Sequence, residues 1–135
     1  MNLLQELEDK NYAFIASNGY YSYDSGIKPV ISKLNENIRY FDGLTVADKI
    51  VGKASAMLLT LSGVKKVYAK VLSKWGRDIF EKYSIEYECE KLVPVIINRY
   101  GTGMCPMEVT VKDIEDLNDA YDALNRKVEE LKNEK

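Results

Sequence analysis

Val46-Ala-Asp-Lys-Ile-Val-Gly-Lys-Ala-Ser-Ala-Met-Leu-Leu59 carries two patterns that meet at Gly52. Upstream, Leu44 to Val51 is rich in β-branched and apolar residues and reads as a strand. Downstream, Lys53 to Leu61 is apolar nearly all round, which predicts a helix buried between layers. Ser62-Gly63 ends that helix. The next segments repeat the order. Val64 to Leu72 reads as a strand with Val67, Ala69 and Val71 on one face, and Ser73 stands where it can cap a helix from Lys74 to Tyr83.

Before this unit, Tyr12 to Ala16 and Tyr20 to Asp24 flank Asn18-Gly19, the dipeptide best suited to a tight hairpin turn. Ser25 to Pro29 then opens a helix whose apolar residues Ile27, Val30, Ile31, Leu34 and Ile38 recur at helical spacing, so it is expected to run from Gly26 to Ile38. Beyond residue 83, Ile85 to Cys89 and Val93 to Ile97 read as two further extended segments, with Pro94 marking an edge or a break. A long helix over residues 110–133 is expected to follow. Thr110 serves as its N-cap, Asp113 stands in for the capping-box Glu, and the apolar stripe is Ile114, Leu117, Tyr121, Leu124, Val128 and Leu131. Alternating strands and helices predict a single layered α/β domain over residues 1–135, a three-layer α/β/α sandwich with an appended C-terminal helix. The stripe can lie on its own sheet or form a homodimer seam. The second reading predicts that deleting residues 112–135 leaves a folded monomer.

Composition removes several function classes. A net charge of -2 and a pI near 5.3 give no basic field for a nucleic acid, so none is expected as a partner. The start, MNLLQELEDK, is acidic where an export signal would be basic, and no apolar run has the length of a membrane span. The expected location is cytoplasmic, with Cys89 and Cys105 as free thiols. There is no histidine, which excludes His-dependent hydrolases and HExxH metalloproteases. Two cysteines without histidine cannot build a thiolate-rich zinc site; a carboxylate and carbonyl site for a hard cation stays open, but no DxDxDG string is present, and no metal or cofactor is expected.

Taken with Ser25-Gly-Ile-Lys-Pro29 and Asn98-Arg-Tyr-Gly-Thr-Gly-Met-Cys-Pro-Met-Glu108, the segment from Val46 to Leu59 resembles a family of uncharacterised bacterial proteins grouped with the cytidine deaminase-like superfamily. The resemblance covers most of residues 11–110 and implies that fold. It implies no activity. Zinc deaminases need a His or Cys and a Glu at the start of the buried helix and P-C-x-x-C at the start of the next, so that three ligands hold a metal-activated water. Here Lys53 and Ser55 stand near the first positions, and Ser73-Lys-Trp-Gly-Arg77 stands at the second. Zinc-dependent deamination is therefore not expected.

Three groups of residues are candidates for a site. Lys53, in the first turn of the buried helix, lies near backbone N–H groups that can receive a phosphate or carboxylate, with Ser55 beside it. The bland alternative is a lysine whose stem covers the core. A P-loop would need glycine where Ala47 stands and a hydroxyl where Ala54 stands, so that comparison fails. Asp48, near the end of the preceding strand, faces the same end of the sheet and can belong to an ion-pair cluster or a polar pocket. Arg99 and the loop Tyr100-Gly-Thr-Gly-Met-Cys-Pro-Met-Glu108 that follows it bring Arg99, Thr102, Cys105 and Glu108 together in sequence, with Gly101 and Gly103 giving positive-φ options and close backbone approach. Such a loop can close over a ligand, and Cys105 with Glu108 can serve thiol chemistry. Cys89 reads as structural, and at least one of Tyr20, Tyr21 and Tyr23 is expected to be exposed to a partner. The first expectation is a binding domain for a small anionic ligand such as a nucleotide; the alternatives are a thiol enzyme or sensor, and an interaction protein that dimerises.

Overall fold

The structure is a computed structural model and describes residues 3–98 and 100–133. Its elements are α1 (Leu3–Asp9), β1 (Phe14–Ala16), β2 (Tyr21–Ser22), α2 (Lys28–Glu36), β3 (Thr45–Val51), α3 (Lys53–Ser62), β4 (Lys66–Ser73), α4 (Lys74–Lys82), β5 (Glu86–Val93), α5 (Pro106–Val111) and α6 (Leu117–Lys132). The strands form one sheet in the order β2-β1-β3-β4-β5. The hairpin pairs antiparallel with β3, while β3, β4 and β5 run parallel through the crossover helices α3 and α4. Gly19, at φ 98, takes the positive-φ position of the hairpin turn.

Two cores account for the layers. On one face, Phe14, Val46, Val67 and Ala69 pack with Val30, Leu34, Met57, Leu58, Phe80 and Leu124 from the helices, and α3 is buried on nearly every side. On the other face, α1 sets Leu7 against Ile15 and Ala47. The result is a mixed α/β sheet flanked by helices, as the alternation of patterns predicts.

Ser73 caps α4 as expected, its Oγ accepting from the Gly76 N–H at 3.0 Å. Ser73→Ala should cost about 1 kcal/mol, readable as a lowered urea midpoint with an unchanged slope. Several expectations are corrected. The helix of residues 26–38 is shorter, ending at Glu36, which leaves Ile38 exposed. The extended segment expected at 85–89 runs on to Val93 as β5, and the one expected at 93–97 does not form a strand, because Pro94 removes the N–H needed to continue it. Ile97 makes only an isolated bridge with Met104. Cys89 is exposed on β5 and is not a core residue.

The C-terminal helix of residues 110–133 is two helices. Thr110 lies inside α5, its hydroxyl donating to the Pro106 carbonyl, and the N-cap of α6 is Asp116, which accepts from the Asp119 N–H at 2.9 Å. Leu124 of the stripe and Ala120 beside it are fully buried in the main core, with Ile114, Leu117, Tyr121 and Val128 packed around them. The stripe thus covers α3 of its own chain. α1 was not anticipated, since its three leucines sit in an acidic stretch too short to show a period. No described helix is long and apolar enough to cross a membrane.

Candidate functional site

Gly52 is the N-cap of α3 and has no side chain with which to cap it. The open N–H groups are satisfied from far along the chain. The Lys53 N–H donates to Glu108 Oε1 at 2.7 Å and the Ala54 N–H donates to Oε2 at 2.8 Å, so one carboxylate closes the helix start with both oxygens. The first turn therefore already holds a carboxylate. A Cβ at residue 52 would lie 2.3 Å from Glu108 Oε1, and one at Gly76 would lie 3.0 Å from the Gly52 carbonyl oxygen. Glycine at both positions lets α4 and Glu108 approach the turn this closely.

Glu108 is 3% exposed. Burial raises its pKa above the usual carboxylate range, against the opposing pull of the two amides and of the Lys53 charge. Pro106 starts α5 at a position that needs no donor, and the short helix points this residue at α3. The loop before it is a corner. Asn98 staples it, Oδ1 accepting from the Tyr100 and Thr102 N–H groups and Nδ2 donating to the Thr102 hydroxyl. Gly101 takes the positive φ of that turn, and Gly103 returns its carbonyl to the Asn98 N–H at 2.8 Å. Cys105 is half-buried, and its carbonyl accepts the N–H groups of Glu108 and Val109 as α5 begins. Arg99 lies outside the described residues.

Lys53 faces two ways. Its amide meets Glu108, while its ammonium donates to the Lys112 carbonyl at 3.1 Å and to Glu115 Oε2 at 3.3 Å, with the side chain 9% exposed. That ammonium forms part of the wall of a cavity of about 210 Å3 lined by Lys53, Trp75, Asp78, Ile79, Lys82, Lys112 and Glu115. Trp75, Asp78, Ile79 and Lys82 recur at three- and four-residue spacing on one face of α4. The corner between α5 and α6 supplies Lys112 and Glu115. Both acids in the wall are already engaged, Asp78 by Arg77 at 3.2 Å and Glu115 by Lys53. Lys82 and Lys112 are left without a carboxylate of the wall to neutralise them. Trp75, the chain's one tryptophan, adds a flat apolar surface beside them.

Of the described candidates from the sequence, only Lys53 reaches this cavity. Ser55 is buried on α3, and Glu108 lies behind the lysine, on its backbone side. Asp48 is buried in the middle of β3 and pairs with neither Lys49 nor Lys53: Lys49 reaches Asn11 instead. Trp75, Lys82 and Lys112 were not anticipated. The stripe on α4 was legible as a helical face. Its meeting with Lys112 depends on the break between α5 and α6, which is not.

The comparisons agree with this fold. The profile of TM1506, a domain of unknown function (DUF1893), matches residues 2–128. A crystal structure of a DUF1893 family protein (TM1506) from Thermotoga maritima is similar at 29% identity with a TM-score of 0.83, the likeness covering 92% of this chain and 86% of that one. No curated protein is significantly similar. The chain belongs to the TM1506 (DUF1893) family.

Proposed function

We propose that the protein binds a small anionic ligand in the cavity between α4 and the α5–α6 corner. The observation that carries this reading is the pair of lysines, Lys82 and Lys112, left uncompensated beside Trp75 and the buried Lys53. The cavity begins at the starts of α3 and α4, outside the carboxyl ends of β3 and β4, the end at which open α/β sheets hold ligands, and runs along α4 to Lys82 at its last turn. Its 210 Å3 is below the roughly 300 to 1,000 Å3 of sites for drug-sized ligands, which favours a small phosphate or carboxylate, or the charged end of a nucleotide whose base rests on Trp75.

The strand order and the buried helix after β3 also support a cytidine deaminase-like scaffold. An ammonium, a hydroxyl and an indole at the positions where that scaffold carries metal ligands and a proton shuttle do not suit zinc. The reading is of a binding domain on that scaffold, working in the cytoplasm.

A thermal-shift panel of inorganic phosphate, small carboxylates and mononucleotides tests it. At a hundredfold excess over its dissociation constant, a ligand should stabilise the protein by ~2.7 kcal/mol and raise the melting temperature by several degrees. Lys82→Ala combined with Lys112→Ala should remove the shift while moving the ligand-free melting point little, since both side chains sit on the surface. No shift with any anion, or a shift that survives the double substitution, rejects the cavity as the site.

A further inference from the structure

Asp48 stands out among the remaining buried groups. It is 3% exposed in the middle of the sheet, with Phe14 of β1 on one side and Ala69 of β4 on the other. Its Oδ1 accepts the Ile50 N–H of its own strand at 3.3 Å, and Oδ2 has no partner. A buried polar atom without a partner is rare enough to require a reason.

The ladder around it is irregular. Register runs from Asp48↔Ala69 to Ile50↔Val71 without a Lys49↔Lys70 pair, and from Ala69↔Cys89 to Val71↔Lys91 without a Lys70↔Glu90 pair. The row formed by Lys49, Lys70 and Glu90 is thus unpaired across all three parallel strands. The alternation of faces shifts there as well. Val46 packs in the main core two residues before Asp48, yet Val51 and Leu72 also enter that core, while Ile50 turns out to solvent. The dislocation lies just before the turns into α3 and α4.

Among the described residues, no cation compensates this carboxyl. β1 carries no ionisable residue, and β4 presents Val67 and Ala69 on this side. Lys66 and Lys70 of β4 are taken by Glu86 and Glu88 of β5 and by Glu8 of α1. Lys49 reaches Asn11, and Lys53, the one charged residue of α3, reaches Lys112 and Glu115. Among the described residues, the groups opposing its desolvation are the backbone amides of Ile50 and Lys49, and burial pushes the pKa up to about 8.

We propose that Asp48 is a proton-operated switch: neutral, it leaves the dislocated ladder closed, and ionised, its uncompensated buried charge loosens the carboxyl ends of β3 and β4 and with them the starts of α3 and α4. A carboxyl whose folded pKa lies above its unfolded value stabilises the fold fully at pH below the unfolded value. That stability is lost as pH rises to the folded one. The window runs from about pH 4 to about pH 8.

The test is a carbon-13 titration of the Asp48 carboxyl in the intact protein, with amide hydrogen exchange from pH 6 to 9 in wild type and Asp48→Asn. The expected midpoint is above pH 7. Asp48 should make the unfolding constant rise about tenfold per pH unit between pH 5 and 7.5, a slope absent from Asp48→Asn. After correction for intrinsic exchange, protection at residues 50–54 and 72–76 should fall between pH 7 and 9 in wild type only. A midpoint below pH 6, or the same loss of protection in the variant, overturns the proposal. If Asp48→Asn does not fold, the wild-type titration and the protection of residues 50–54 against pH decide alone: ionisation without loss of protection also overturns it.

Discussion

Glu108→Ala should lower stability by about 3 kcal/mol, because it strips two buried N–H groups of their acceptor at about 1 to 3 kcal/mol each. The opposing term is the cost of holding the carboxylate out of water, visible in its raised pKa, and it keeps the loss below the upper sum. Glu108→Gln should fall between, since an amide offers one oxygen and turns an NH2 toward the second N–H. Gly52→Ala attacks the same contact from the other side. Its Cβ would lie 2.3 Å from Glu108 Oε1, and relieving the clash means expelling the carboxylate. The two substitutions remove one interaction, so the double variant should cost at least 1 kcal/mol less than the sum of the singles. Urea unfolding of the four proteins measures the cycle, and strict additivity would mean that the carboxylate is not seated on these amides.

Leu124→Ala should cost about 2 to 5 kcal/mol, because the side chain is fully buried and α3 cannot move to fill the space. Ending the chain after Asp116 should abolish folding. That truncation removes Ala120 and Leu124 and bares the outer side of a helix whose other faces are already apolar. The loss compares with the whole stability of an ordinary domain, roughly 5 to 15 kcal/mol. Circular dichroism with a melting curve reads the outcome. A cooperative melt from the truncated chain would return the stripe to the role of a partner-facing seam, the reading that deletion of residues 112–135 was expected to separate.

Burial raises the pKa of both Asp48 and Glu108. Each therefore contributes stability that is present on the acid side and lost as pH rises through its folded pKa.

Local chemistry made much of the fold legible. Asn18-Gly19 announced the hairpin, Ser73 the cap of α4, and the unbroken apolar run after Lys53 a helix between layers. The errors lie where two local readings fit equally well. Thr110 with Asp113 and Asp116 with Asp119 both look like helix starts, and Ile114 carries the apolar stripe across the gap between α5 and α6. Long-range partners decided between them: Glu108 must reach α3, and Lys53 must reach the Lys112 carbonyl.

The site was half visible for the same reason. The open N–H groups after Gly52 were foreseen as an anion seat, and an anion sits there, but it is the chain's own Glu108 from fifty-five residues away. Gly52 as an N-cap without a side chain was the available signal that some other acceptor had to arrive. Nothing in the spacing says which carboxylate it is. The cavity on the ammonium side of Lys53 needs three elements to meet, so α4 alone showed only a face.

The most direct test is an amide and indole proton–nitrogen correlation titration with inorganic phosphate and a mononucleotide. A ligand in the cavity predicts saturable shifts at the Trp75 indole and around Lys82 and Lys112, with the Lys53 and Ala54 amides still bound to Glu108. Shifts confined to those two amides, or no saturable shift anywhere on α4, would contradict the assignment of this cavity as the ligand site.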